Sequence, residues 1–187
     1  MQPTITDYTL DLETMGTNGT SAILSIGACA FNRNAEMFNP NETAAFYVNV
    51  DLDNCLKHGL TLDAPTIHWW MKQNKKARSA FESPPPVGLK HAIKQYSDWV
   101  KDIGGRNIPC WTHATFDAPI LGNACRAIQR NLNQITAYKM QRDIRTLNDL
   151  KGYYEVDRKG EHHNALDDAV FQAEYIWGLL NGKGTKD

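Results

Sequence analysis

Three short stretches of this sequence carry acidic side chains at spacings that metal-assisted chemistry would use. The first, Asp11-Leu12-Glu13-Thr14, overlaps the end of residues 8–13, where Tyr8, Leu10 and Leu12 alternate with Thr9, Asp11 and Glu13. That alternation predicts a strand with one apolar and one polar face. Positions two apart on a strand project from the same face, with Cα atoms roughly 6–7 Å apart. Two carboxylates held side by side repel each other, and the pairing makes sense when a cation lies between them. Taken alone, the pair fits the solvated face of an edge strand equally well.

The second stretch runs Thr115-Phe116-Asp117-Ala118-Pro119-Ile120-Leu121. Asp is a common helix N-cap. Here Leu121, Ala124 and Ile128 follow Asp117 at helical spacing, which puts Asp117 on the stripe facing the core. A carboxylate there needs a partner. The third stretch is His162-His163-Asn164-Ala165-Leu166-Asp167-Asp168-Ala169. Acids in the first turn of a helix are electrostatically comfortable, and helical geometry does not choose between Asp167 and Asp168. Together, four carboxylates and a nearby His supply the ingredients of a two-metal phosphodiesterase, with the ions roughly 3.5–4 Å apart. Oxygen ligands suit Mg²⁺ or Mn²⁺ rather than zinc, and a His near neutral pKa suits proton removal from water.

These stretches need a scaffold that brings them together. Residues 8–13, 21–31 and 45–50 read as three strands, and the short connections between them favour an antiparallel meander. Asp63 reads as an N-cap with Pro65 in the first turn of a helix through Trp69 and Trp70. The prolines at 84–86 break the chain, residues 87–103 have amphipathic helical periodicity, and Gly104-Gly105 ends that helix. A strand at 108–112, a helix at 117–130, a strand at 138–142 and a short helix at 144–150 follow. Residues 152–162 are polar and read as a loop, and residues 164–181 form the last helix. This order predicts an α/β domain with a mixed sheet and helices on its faces.

The chain has 187 residues, which suits one domain spanning 1–187. Twenty Lys and Arg balance 21 Asp and Glu, which argues against a passive nucleic-acid binder, usually basic. A metal nuclease escapes that rule in part, because bound cations restore positive charge where the phosphate sits. No basic start followed by an apolar run marks a secretory signal, and no apolar stretch spans a bilayer, so a cytoplasmic setting is expected. Cys29, Cys55, Cys110 and Cys125 are widely spaced and read as buried, reduced thiols.

The three acidic motifs, in this order, resemble the DEDDh exonucleases, the group of the proofreading subunit of the bacterial replicative polymerase, RNase T and oligoribonuclease. The resemblance spans about residues 8–180. It is strongest to the small phage and prophage exonucleases and the related mycobacterial exoribonuclease, whose character is visible in IHWWMKQNKKAR, FDAPIL, RDIRTL and HNALDDA. It implies a ribonuclease H-like fold with a five-stranded mixed sheet flanked by helices, and two divalent cations, Mg²⁺ or Mn²⁺, held by Asp11, Glu13, Asp117 and Asp168. The family pattern His-x-Ala-x-x-Asp fits His163, Ala165 and Asp168, whereas the register of His162 with Asp167 puts Asn164 where Ala belongs. By resemblance His163 is the general base, Leu12 and Thr14 contact the terminal nucleotide, with Thr14 near its 3′ hydroxyl, and Phe116 packs on the last sugar or base.

The implied activity is 3′→5′ hydrolysis of single nucleotides from a nucleic-acid end, releasing nucleoside monophosphates in a bacterial or phage-infected cell. DNA, single-stranded, is the first expectation. Trimming of RNA is the alternative, and an inactive binding module on the same fold is a rival. A homodimer is compatible with the resemblance, though no exposed apolar stripe suggests an interface. Trp70 reads as core. The basic residues Lys72, Lys75, Lys76 and Arg78 fit either a solvated face or a phosphate track, and Arg142 and Arg145 fit either ion pairs or phosphate contacts. The loop bearing Lys151, Arg158 and Lys159 could order over substrate.

Overall fold

The computed structural model describes residues 4–79 and 81–185. Its strands are β1 (Asp7–Thr14), β2 (Ile23–Phe31) and β3 (Ala44–Asn49), followed by helices α1 (Leu52–Lys57), α2 (Ala64–Lys72), α3 (Lys75–Ser79) and α4 (Leu89–Asp102). Strand β4 (Cys110–Thr112), helix α5 (Asp117–Ala127), strand β5 (Gln141–Asp143) and helices α6 (Ile144–Lys151) and α7 (Ala165–Leu180) complete the order. The sheet runs β3-β2-β1-β4-β5. The first three strands form the expected antiparallel meander, and β4 and β5 add in parallel to β1. Parallel neighbours need a crossover, and α4 and α5 lie in the connections that provide it.

Strand β1 is therefore central, and the edge-strand reading of its polar face fails. Seven of its eight residues are buried. Tyr8, Leu10 and Leu12 face a core built with Ile93, Tyr96 and Val100 of α4 and Leu121 of α5. The opposite face is roofed by α7, where the Thr9 hydroxyl donates to the Ala169 carbonyl at 2.7 Å. Ala169, Ala173 and Ile176 pack there with Cys29, Phe31 and Trp111. Small residues let that helix lie close to the sheet.

Closest of all is the approach at Gly27, which pairs with Asp11 across β1 and β2. A Cβ at Gly27 would stand 2.1 Å from the Ala165 carbonyl. Only glycine lets the start of α7 descend onto the sheet beside Asp11.

Several boundaries differ from the sequence reading. Residues 138–140 form a 3₁₀ turn rather than strand, and β5 occupies 141–143. Helix α5 stops at Ala127, and β4 begins at Cys110. The unexpected α1 is six residues long, too short for periodicity to register, and depends on its cap: Asp51 accepts from the Asn54 N–H at 2.7 Å. The four cysteines are buried and free. Among the described residues no helix is long and apolar enough to cross a membrane.

Candidate active site

Each acidic side chain is placed by a different device. Asp11 and Glu13 share the face of β1 beneath α7. Asp117, 1% exposed, opens α5 and accepts two backbone donors, from Leu12 at 3.3 Å and from His113 at 2.8 Å. The Leu12 N–H lies between Asp11 and Glu13 in the chain, so this bond pins the start of α5 to the middle of the acidic strand. Asn164 caps α7, accepting from the Leu166 and Asp167 N–H groups, and sets Asp167 and Asp168 in the first turn.

The two neighbouring acids then part company. Asp168 Oδ2 accepts the His163 N–H at 3.1 Å. Ligand atoms of Glu13, His163 and Asp168 lie within 4.8 Å of one another. Asp167 instead accepts the Glu161 N–H at 2.8 Å and lies against Gly160, where a Cβ would stand 2.4 Å from its carboxyl carbon. It anchors the preceding loop and does not enter the cluster.

Crowding shows in the electrostatics. Burial, then the charges of Asp11 and Asp117, pushes the Glu13 carboxyl up to about 9. Burial raises Asp11 to about 6, against the hydrogen bond that Gln172 Nε2 donates to its Oδ1 at 2.7 Å. Asp117 is held well above the ordinary carboxylate range by burial and by Asp11, despite its two backbone donors. Buried carboxylates that resist ionisation side by side suit divalent cations, and their oxygens form a fitting donor set for Mg²⁺ or Mn²⁺.

His163 has φ of 65°, in the left-handed region that a non-glycine residue rarely adopts. Its ring meets Trp69 edge-on, with centroids 4.6 Å apart, and Trp70 at 6.1 Å. Burial, with lesser contributions from His162 and Arg158, lowers its pKa below the usual 6.5, so the imidazole is neutral and able to accept a proton at neutral pH. Trp70 is core as expected, donating from Nε1 to the Thr14 carbonyl at 2.9 Å. Trp69, left open by the sequence, is 40% exposed and holds the His163 ring.

The acids open onto a cleft of about 530 Å³, also lined by Leu12, Thr14, Trp69 and half-buried Phe116. The Thr14 hydroxyl donates to the Gly16 carbonyl at 2.7 Å, which leaves its oxygen free to accept. Arg142 spends its guanidinium on the Lys139 and Gln141 carbonyls, while Arg145 reaches Thr115 at 3.3 Å. Lys76 pairs with Glu161.

Three residues at the site escaped the sequence reading. Gln172 stands one turn after Asp168, and that spacing was the available signal. His113 lines the cleft, with Nδ1 3.9 Å from Asp117. Arg158, read from the sequence only as part of a loop that could order over substrate, forms an ion pair with Asp168.

A mixed five-stranded sheet in the order β3-β2-β1-β4-β5, flanked by helices, is a ribonuclease H-like fold. The solved structure of cell-death related nuclease 4 matches with a TM-score of 0.55 and 15% identity, over 94% of this chain and 64% of that one. Within that class the family is specific. Residues 6–179 match the 3′-5′ exoribonuclease Rv2179c-like domain, and the chain belongs to that family of 3′-5′ exonucleases. It is also 30% identical to the exodeoxyribonuclease of Enterobacteria phage T4, over 75% of this chain and 69% of the phage protein.

Proposed function

We propose that this protein removes single nucleotides from the 3′ end of a single-stranded nucleic acid, with two divalent cations held by Asp11, Glu13, Asp117 and Asp168. The observation that carries this reading is the convergence of Glu13, His163 and Asp168 within 4.8 Å, at the base of a cleft shared with Asp11. Bound there, the ions would supply an activated water and neutralise charge on the phosphate. His163, neutral and braced by Trp69, takes the proton from that water. Leu12 and Phe116 offer apolar contact to the terminal nucleoside. Thr14, whose hydroxyl donates a hydrogen bond to the Gly16 carbonyl, accepts from the 3′ hydroxyl. Gln172 orients Asp11.

DNA is the first substrate reading, supported by likeness to the phage exodeoxyribonuclease. RNA is the second, supported by the description of the matching family. The test uses 5′-labelled single-stranded DNA and RNA of one sequence, with Mn²⁺ or EDTA. A metal-dependent ladder shortening from the 3′ end is expected, faster on DNA. Faster RNA shortening would reverse the substrate order. Intact oligonucleotides throughout, with Asp11→Ala no different from wild type, would leave a binding module on this fold.

A further inference from the structure

We infer that Arg158 is a built-in counter-ion of the acidic cluster, competing with a divalent cation for the Asp168 carboxylate and withdrawing when the cation enters. The inference rests on the metal-binding reading of the site. Asp168 has both oxygens engaged: Oδ2 by the His163 N–H at 3.1 Å and Oδ1 by the Arg158 guanidinium. The first donor is backbone, fixed by the strained turn before α7. The second is a long side chain, so it is the exchangeable partner.

The guanidinium acts on more than Asp168. Arg158 lines one cavity together with Asp11 and Asp168, so it sits among the same acids that a cation would join. Two like charges cannot share that space without strong repulsion in a buried setting. The seat also looks temporary in its bonding. Arg158 Nε is buried and makes no hydrogen bond among the described residues, although a permanent arginine–carboxylate pair commonly uses two parallel donors.

The surroundings allow retreat. Residues 154–159 form no helix, strand or turn. The loop is held at its ends, by pairing of Tyr153 with Thr185 and by the Glu161–Asp167 bond. Arg158 lines a second cavity of about 360 Å³ with Phe171, Gln172 and Tyr175, one that meets the Trp69 cleft at Asp11, His113 and Asp168. Its guanidinium lies 5.0 Å from the Phe171 ring centroid. That aromatic surface can keep the cation nearby after it leaves the carboxylate.

The test titrates Mn²⁺ into EDTA-stripped, full-length protein and follows free Mn²⁺ by electron paramagnetic resonance. Arg158→Met keeps a stem on Phe171 and removes the charge; Arg158→Lys keeps the charge and loses the fork. Half-saturation is expected at Mn²⁺ concentrations at least about fivefold lower in Arg158→Met, the scale of a coupling between competing ligands, with Arg158→Lys between it and wild type. Equal or weaker binding in Arg158→Met, beside a wild type that binds, overturns the competition alone. Absence of Mn²⁺ binding by wild type overturns the metal reading with it. Should Arg158→Met fail to fold, tighter binding by Arg158→Lys than by wild type supports the inference, and equal or weaker binding overturns it. Withdrawal is read separately in wild type: tryptic cleavage between Arg158 and Lys159 should be faster in Mn²⁺ than in EDTA, and an equal or slower rate overturns it.

Discussion

Glu13 is 8% exposed, faces the charges of Asp11 and Asp117, and has its carboxyl pushed up to about 9. A carboxylate in that position serves a ligand at the expense of the fold, the usual conflict at a functional site. Glu13→Gln keeps the shape and removes the proton that the carboxyl must take up on folding. In EDTA near pH 8 it should melt a few degrees above wild type, roughly what 1–2 kcal/mol gives in a chain of this size. The same variant should lose the Mn²⁺-induced rise in Tm, and a lower Tm in EDTA would contradict the electrostatic argument. Asp168→Asn should abolish cleavage, while Asp167→Asn, which keeps an acceptor for the Glu161 N–H, should retain much of it. Oligonucleotide cleavage decides between them, and the reverse pattern would assign the ligand role to Asp167. His163→Ala should lower turnover by about 10²–10⁴, the range for loss of a general base, with Mn²⁺ affinity largely kept.

At the scale of elements, the site is assembled by the descent of α7 onto β2 at Gly27. Gly27→Ala would put a methyl group 2.1 Å from the Ala165 carbonyl. The start of α7 must lift, carrying Asp168 away from Asp11 and Glu13. A loss of about 1–3 kcal/mol in urea unfolding is expected, together with weaker Mn²⁺ binding; unchanged binding would show that the helix start does not set the ligand spacing. The contact explains what the sequence disclosed and what it hid. Asp11 and Glu13, two apart on an alternating strand, were legible as a pair, and Asp117 as a core-facing helix start. Asp167 and Asp168 were not separable by periodicity, because both lie at the stripe's edge. The family pattern chose between them, and the bond from Glu161 to Asp167 now supplies a physical reason. The meander and the long helices α4 and α7 were legible for the same reason of period. Short α1 and α3, the start of β5 and the role of Gly27 were not, since each depends on a cap or a tertiary contact. Arg158 and Trp69 meet the site from distant segments, and no local pattern announces that.

At the scale of the whole molecule, the cluster should write a pH signature into stability. Asp11 and Glu13 have folded pKa values raised to about 6 and about 9, and Asp117 is raised as well. A carboxyl with a raised folded pKa contributes stability that is complete below its unfolded pKa and is lost as pH rises through the folded value. His163 has the opposite shift, so it costs stability only as pH falls below its ordinary 6.5. Above neutral pH that imidazole is silent and the carboxyls alone titrate. The buried thiols, with Cys29 and Cys110 pushed up to about 12, add the same sign only as pH nears their ordinary 9. In EDTA, urea-unfolding stability should therefore fall between about pH 7 and pH 8.5. Saturating Mg²⁺ should flatten or reverse that slope, because a bound cation favours the ionised carboxylates and the folded state then carries fewer protons. Glu13→Gln should flatten the EDTA slope without any metal. A wild-type slope that stays the same in EDTA and in Mg²⁺ would mean that no cation enters among these acids, whatever the cleavage assay returns.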